Sequence, residues 1–269
     1  MRITHFLEHL ETVIPIDLAM DDDPVGLQVM AEDRELTKVV VAYELNETVV
    51  MSAANEGAEL IVAFHPLIYP HLRSITGKDR VERTVLKLIE NRIGLYILHT
   101  AFDAHPRGTS RLLAEALGCT NIRPLVPNAL RAGAGMGAVG ELVEPTPLSK
   151  LSEGIKEVCG TPVVRVSSVP DLDRDPDIAT VAILGGSGMS FYNDALRSGA
   201  DAFITADTRY HAFHAANDGI PILDPGHAES ERFVVEGIAT LIKELVGQEK
   251  MAVEVTPLHI ATNPIHYIV

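Results

Sequence analysis

The stretch LIVAFHP at residues 60–66 and the stretch GLYILH at residues 94–99 are separated by a helix-like segment at 80–91. Short, nearly continuous apolar runs are typical of strands that are covered on both faces, as parallel strands are. Parallel neighbours need a long crossover, and a helix usually supplies it. These stretches therefore predict a β-α-β unit with a right-handed connection.

The same alternation extends on both sides of this unit. Apolar residues recur at helical spacing in Ile3–Val13 and predict an amphipathic helix. The run KVVVAY at 38–43 predicts a strand, and the segment 46–57 predicts a helix that Asn46 can cap. A further helix is predicted at 109–117. The first half of the chain is therefore expected to be an α/β domain.

The character of the sequence changes at 124–140, where two prolines precede a stretch rich in glycine and alanine. We place the domain boundary here, with residues 1–125 and 225–269 in a first α/β domain and residues 126–224 in a second. A polar loop is expected at 170–177. The predicted strands of the remaining chain are 139–143, 163–167, 180–184, 202–205, 220–223 and 252–255, and its predicted helices are 148–159, 191–198, 210–217 and 228–246.

Composition excludes several classes of function. The formal net charge is −15, and a field of that sign repels nucleic-acid phosphates and anionic lipids. No apolar run approaches the roughly 20 residues that cross a bilayer. The first residues carry acids within their apolar pattern, unlike a secretory signal, and Cys119 and Cys159 follow no disulfide or metal spacing. We expect a cytoplasmic protein with reduced core thiols, without general nucleic-acid binding or membrane attachment.

Histidines and acids follow four of the strand-like runs directly. In open parallel sheets, ligands bind in the crevice beyond the carboxyl ends of the strands. Imidazole and carboxylate together suit Zn, Fe, Mn or a similar divalent ion. The side chains at these strand ends are His65, His99, Asp103, Asp207, His227 and Glu231.

Structural alternatives remain open for each of these residues. His65 precedes Pro66 and would also fit a turn, Asp103 and Glu231 would also fit an ordinary surface, and Asp207 would also fit a helix N-cap. The four-residue spacings of His99 with Asp103, Asp207 with His211 and His227 with Glu231 carry little weight. With 11 His and 37 acidic residues, several such pairs arise by chance. The signal lies in the placement at strand ends.

Two glycine clusters also call for interpretation. GMGAVG at 135–140 matches a dinucleotide-binding pattern, but no strand precedes it and no helix follows it directly. GGSG at 185–188, which includes Gly186 and Ser187, does follow a strand and precede a helix. Its N–H groups would fit a phosphate, or its glycines would fit a tight turn with positive φ.

Taken together, the motifs resemble one known family over nearly the whole chain. The sequence is similar to the GTP cyclohydrolase 1 type 2 proteins, also called NIF-three-like (NGG-interacting-factor-three-like) proteins. The motifs that carry the resemblance are VGLQV at 25–29, HPLIY at 65–69, HTAFD at 99–103, GAVGEL at 137–142, GGSG at 185–188, TADTRYH at 205–211, and DPGH at 224–227 with Glu231.

The resemblance implies two α/β domains with mostly parallel central sheets that face a shared cleft with a pair of divalent metals. It also implies a ring-like homohexamer of dimers. The metal ligands carried over from the family are His65, Asp103, His227 and Glu231. Phe64 stands where the family has the first histidine of a doublet, and DDP at 22–24 stands where the family tends to have Trp-Asp-Asn.

Phenylalanine cannot ligate a metal, so one of the two positions loses a donor. The site would then bind one metal ion, or two with help from water, His99 or His105.

For function, the resemblance favours a metal-dependent hydrolase that acts on a small, nucleotide or phosphorylated substrate, with GTP as one candidate. Asp207 and His211 are the candidates for proton transfer. A chain of net charge −15 repels a triphosphate, and Arg107 and Arg209 are the evident basic residues near the motifs that could bind one. The alternative is a non-catalytic protein that binds or delivers metal, or an interaction partner of regulators.

Overall fold

The computed structural model describes residues 1–167 and 175–268. Over these residues the helices are α1 (Ile3–Val13), α2 (Glu47–Asn55), α3 (Arg80–Glu90), α4 (His99–Asp103), α5 (Thr109–Ala116), α6 (Leu148–Cys159), α7 (Tyr192–Arg197), α8 (His227–Ser230) and α9 (Val234–Gln248). Shorter 3-10 helices lie at Ile16–Leu18, Met189–Phe191 and Tyr210–Asp218. The strands are β1 (Gly26–Val29), β2 (Lys38–Ala42), β3 (Leu60–Ala63), β4 (Gly94–Ile97), β5 (Thr120–Arg123), β6 (Val126–Pro127), β7 (Gly135–Met136), β8 (Ala138–Pro147), β9 (Arg165–Val166), β10 (Asp177–Ser187), β11 (Ala202–Ala206), β12 (Ile222–Asp224) and β13 (Glu254–Pro257).

The chain divides into two compact units. Unit 1 consists of Met1–Phe102 and Val234–Pro264, and unit 2 consists of Asp103–Phe233 and Ile265–Val269. The sequence analysis places the corresponding boundaries at 125 and 225, and only the first of these lies at the change of composition at 124–140. The glycines there serve close packing within unit 2, because a Cβ on Gly140 would lie 2.8 Å from the Cβ of Cys119.

The sheet of unit 1 has the strand order β1-β4-β3-β2-β13. The pairings among β4, β3, β2 and β13 are parallel, and β1 adds an antiparallel edge strand. The β-α-β unit predicted from residues 60–99 is confirmed, because β3 and β4 are parallel neighbours joined through α3. Val40, Ile61 and Leu95 are fully buried in the core of this sheet.

The sheet of unit 2 is mixed. Among the described residues its strand order is β5-β8-β10-β11-β12-β9. The pairings of β10 with β11 and of β11 with β12 are parallel, and the other three are antiparallel. Buried strands are apolar in either orientation, so their composition does not distinguish the two arrangements. The α/β fold class is confirmed, and the parallel strands β10, β11 and β12 carry the residues of interest at their ends.

Two predicted helices differ in the structure. The segment expected as one helix at 228–246 forms α8 and α9, with residues 231–233 in a turn between them. The Ser230 hydroxyl donates to the carbonyl of His227 at 2.8 Å, a side-chain bond that competes with helix propagation. The segment expected as a helix at 210–217 is the 3-10 helix Tyr210–Asp218. The polar loop expected at 170–177 lies mostly outside the described residues.

Several local predictions are confirmed. The Asn46 side chain caps α2 by accepting from the N–H of Val49 at 2.9 Å. Cys119 and Cys159 are buried free thiols, and burial raises their pKa values to about 11 and about 12. Among the helices of the described residues, none combines the length and the apolar character needed to span a membrane.

Candidate functional site

In unit 1, the ends of β3 and β4 bring two histidines together. The backbone hydrogen bonds between neighbouring strands continue beyond the ends of β3 and β4. The N–H of His65 donates to Tyr43 O, and the N–H of His99 donates to Phe64 O, each at 2.9 Å. The imidazole rings of His65 and His99 lie 5.6 Å apart between centroids, in an edge-to-face arrangement. Placement after adjacent parallel strands accounts for this proximity.

Asp23 holds the ring of His99. Its two carboxylate oxygens lie 2.7 and 2.9 Å from Nδ1 of His99, and Oδ2 also accepts from the N–H of Thr100 at 3.1 Å and from the Thr100 hydroxyl. Burial opposes ionisation of Asp23, but these hydrogen bonds outweigh it and hold its pKa below the usual range. Asp23 is not among the site residues predicted from the sequence. The one indication in the sequence is its place in the acidic stretch DDDP at 21–24.

Phe64 belongs to an aromatic core cluster. Its ring is fully buried, stacks on Tyr43 at 6.1 Å and meets the rings of His65, His99 and Phe102 at 5.0, 5.7 and 6.3 Å. Residue 64, directly after β3, is therefore an apolar packing position in this chain. It supports the rings of His65 and His99 without supplying a metal donor.

In unit 2, Asp207 and Glu231 lie on either side of His227. Asp207 follows β11 with φ of +52°, and His227 begins α8 after Gly226. Oδ2 of Asp207 lies 2.8 Å from Nδ1 of His227, and Oε2 of Glu231 lies 3.2 Å from Nε2. Glu231 is 3% exposed. When the imidazole is neutral, a proton on Nδ1 places the ring's lone pair on Nε2, beside the buried carboxylate of Glu231.

Gly186 makes room for this pair. Its φ is +69°, and a Cβ at this position would lie 2.2 Å from Oε1 of Glu231 and 3.3 Å from Nε2 of His227. Glycine is therefore required at position 186 for two reasons: the backbone has a positive φ, and the side chains of Glu231 and His227 leave no room for a Cβ. The tight-turn interpretation of residues 185–188 is the one that this geometry favours.

The N–H groups of the same loop already have partners. Those of Gly185, Gly186 and Gly188 donate to the hydroxyls of Ser110, Ser230 and Thr205 at 3.2, 2.9 and 2.9 Å. These three donors are thus committed to side chains of unit 2. The expectation that they hold a phosphate does not fit this arrangement.

The other residues singled out from the sequence lie elsewhere in unit 2. Asp103 ends α4 and, with His105, lines a small pocket. Nδ1 of His105 accepts from the N–H of Arg107 at 3.1 Å. His211 is exposed on the 3-10 helix, where its ring meets those of Tyr210 at 5.1 Å and His214 at 6.4 Å. No hydrogen bond described in the structure joins His211 to Asp207.

The two carboxylates determine the protonation of His227 in the metal-free protein. Desolvation lowers the pKa of this imidazole, but hydrogen bonds and charge interactions with Glu231 and Asp207 outweigh it and raise the pKa to about 9. The protonated, positively charged form of the His227 imidazole is therefore favoured at neutral pH.

These features define a class of protein: an α/β protein whose strand ends carry imidazoles oriented by carboxylates, a donor set typical of divalent-metal sites. Comparison with known sequences identifies the family. The family model for Duf34/NIF3 (NGG1p interacting factor 3) matches residues 1–264, and the chain belongs to this family.

Relatives and solved structures agree with this assignment. The chain is 34% identical to the GTP cyclohydrolase 1 type 2 homolog of Lactococcus lactis over 269 residues, covering 100% of both chains. It is 34% identical to the NIF3 homolog protein of Schizosaccharomyces pombe, covering 83% of this chain and 82% of the relative. The crystal structure of Staphylococcus aureus protein SA1388 matches with a TM-score of 0.91 at 27% identity, covering 100% of this chain and 99% of the other.

The contact of Gly186 with Glu231 and His227 is testable by adding one methyl group. Gly186→Ala should displace the Glu231 carboxylate and weaken Zn²⁺ binding by about 10-fold or more, as a loss of ligand orientation does. Zn²⁺ affinity is measured by competition with a chromophoric chelator.

Gly199→Ala is the matched control. Gly199 has φ of +80° and nothing within 4 Å of its Cβ position, so this variant carries the same left-handed strain of about 1 kcal/mol without the contact. We expect it to bind Zn²⁺ like the wild type. Equal Zn²⁺ affinities of the Gly186→Ala variant and the wild type would show that His227 and Glu231 do not bind the metal ion.

The raised pKa of His227 predicts a pH dependence of stability in the metal-free protein. The folded-state pKa of about 9 lies above the unfolded value of 6.5, so the stabilisation is complete below pH 6.5 and is lost as the pH rises through 9. The free energy of unfolding of the wild type minus that of His227→Gln should fall by on the order of 2 kcal/mol between pH 6 and pH 10. Urea denaturation in EDTA measures it, and a difference that stays constant with pH would refute the prediction.

Proposed function

We propose that this protein binds a divalent metal ion through His65, His227 and Glu231, with Asp103 as a further ligand, and uses it to hydrolyse a small substrate. The observation that carries the proposal is the pairing of the Nε2 atom of His227 with the buried Glu231 carboxylate. His65, His227 and Glu231 each offer one ligand atom of the kind that Zn, Fe or Mn takes.

The residues present fit a metal ion on two observations. Asp207 holds the Nδ1 side of His227, which is the orientation that a metal-ligating imidazole needs at Nε2. Gly186 leaves the space beside Nε2 and Glu231 that any larger residue would fill. Phe64 supplies no donor, which favours one tightly held ion per chain over two.

When bound, the metal ion would lower the pKa of a water molecule and polarise the substrate. The protein's own contribution is orientation. Asp207 fixes the ring of His227, Asp23 fixes the ring of His99, and Phe64 packs against both His65 and His99. His99, oriented by Asp23, joins Asp207 and His211 as a candidate for proton transfer.

The substrate is proposed to be a small cyclic or phosphorylated compound. The names of the relatives, GTP cyclohydrolase 1 type 2 homolog, support a nucleotide as one candidate. Because the N–H groups of Gly185, Gly186 and Gly188 are committed to hydroxyls, a phosphate would have to be held by side chains instead. Arg107 and Arg209 are the proposed contacts.

We further propose that the protein works in the cytoplasm as a homohexamer, a ring of dimers. Exposed apolar side chains in unit 2, among them Leu130 and Val143 at 94% and 83% exposure, supply surface that subunit contacts would bury.

Turnover tests the proposed activity. The protein loaded with Zn²⁺, Mn²⁺ or Fe²⁺ is assayed for hydrolysis of GTP and of a panel of cyclic and phosphorylated small molecules, with EDTA-treated protein as the blank. We expect metal-dependent turnover that falls by about 100-fold or more in Asp207→Asn, because the imidazole loses its orientation.

Asp201→Asn is the control for turnover, since Asp201 is an aspartate of the same unit that binds the N–H groups of Ala179 and Thr180 instead. Exchangeable metal without turnover on any substrate would favour the non-catalytic alternative, a metal-binding or metal-delivery protein.

A further inference from the structure

Asp224 is a buried carboxylate at the edge of the unit 2 sheet. It ends β12 and is 2% exposed. The strands β11 and β12 are parallel neighbours, so their carboxyl ends lie at the same edge. Asp207 follows the first strand and His227 follows the second. Asp224 therefore lies between the two turns that carry the partners of one hydrogen bond.

Its two oxygens bind one N–H group from each turn. Oδ2 accepts from the N–H of Thr208 at 2.9 Å, and Oδ1 accepts from the N–H of Gly226 at 3.0 Å. Thr208 is the residue after Asp207, and Gly226 is the residue before His227. A single carboxylate thus ties together the backbone on both sides of the Asp207–His227 contact.

Both turns contain backbone with positive φ, and the turn at Asp207 is strained by it because Asp207 is not a glycine. The φ angles are +52° at Asp207 and +103° at Gly226. A non-glycine residue in this region costs on the order of 1 kcal/mol and persists only where its surroundings hold it. The hydrogen bond from Thr208 to Asp224 supplies that restraint directly beside Asp207, and the bond from Gly226 fixes the second turn to the same carboxylate.

Arg165 balances the charge of Asp224. It lies opposite Asp224 in the antiparallel pairing of β9 with β12, and its guanidinium donates to Oδ2. The guanidinium also lies 5.5 Å from the ring centre of Phe213, on the 3-10 helix that follows Asp207. A buried carboxylate is costly without a partner, and Arg165 provides one from a half-exposed position.

We propose that Asp224 is a positioning residue that sets the geometry of the Asp207–His227 pair and thereby the metal affinity of the site. The inference rests on the metal site proposed above. Asp224 acts through the backbone of its neighbours, not by touching the metal or the substrate.

Asp224→Asn tests this role with almost no change in shape. The amide has one accepting oxygen, so it cannot keep the bonds from both Thr208 and Gly226. Its NH₂ group would face either the N–H of Gly226 or the N–H of Thr208 together with the guanidinium of Arg165. We expect Zn²⁺ affinity to fall about 10- to 100-fold, as for the loss of an outer partner of a ligand. The visible absorption spectrum of the Co²⁺-loaded protein should also change, because it reports ligand geometry.

Asp201→Asn is the control for backbone binding by an aspartate. Asp201 precedes β11, and its Oδ2 accepts from the N–H groups of Ala179 and Thr180 at 2.9 and 2.8 Å. This variant should keep both the Zn²⁺ affinity and the Co²⁺ spectrum of the wild type. The loss of one negative charge from unit 2 would change both variants alike, whereas the loss of positioning changes only Asp224→Asn.

Wild-type affinity and an unchanged Co²⁺ spectrum in Asp224→Asn would overturn the proposal. His227→Ala separates this from failure of the metal site itself, since undiminished binding in that variant would refute the proposed ligands. If Asp224→Asn does not fold, Arg165→Gln takes its place, and the expected result is about 3- to 10-fold weaker Zn²⁺ binding with a changed Co²⁺ spectrum. Wild-type behaviour of Arg165→Gln would then overturn the role of Asp224.

Discussion

The imidazole of His227 is held between two carboxylates, and the site of unit 2 is arranged around this contact. Asp207 takes the Nδ1 side and the buried Glu231 lies beside Nε2. The local backbone accommodates this arrangement in two ways: Gly186 leaves space next to the two donor atoms, and Asp207 adopts a left-handed conformation. Backbone strain at a non-glycine residue and a position that accepts only glycine are features found often at functional sites.

Unit 1 repeats the same chemistry with different residues. Asp23 orients His99 as Asp207 orients His227, and in both cases the imidazole follows a parallel strand. Phe64 follows β3 directly, as His99 lies beyond the end of β4. Its ring is buried among aromatic and imidazole rings, so the position contributes packing in place of a ligand.

The sequence was informative about the strands, because continuous apolar runs mark strands that are buried on both faces. Apolar runs predicted β3, β4, β11 and β12, and the residues that follow these strands include His65, His99, Asp207 and His227. Asp23 and Asp224 were not identified as partners, because their roles depend on contacts with residues distant in sequence. The role of Gly186 was left open between a phosphate cradle and a turn, since only the side chains of Ser110, Thr205 and Ser230 decide where the N–H groups of the loop donate.

The metal content of the purified, untagged protein tests the proposed metal site most directly. Mass spectrometry of the wild type should find about one equivalent of a transition metal per chain, and Glu231→Gln should lose it because the buried carboxylate is the anionic ligand beside His227. Two equivalents would show that Phe64 does not cost the site a metal ion. A wild-type protein that carries no metal and takes up no added Zn²⁺, Mn²⁺ or Fe²⁺ would contradict the proposal that this protein binds a divalent metal ion.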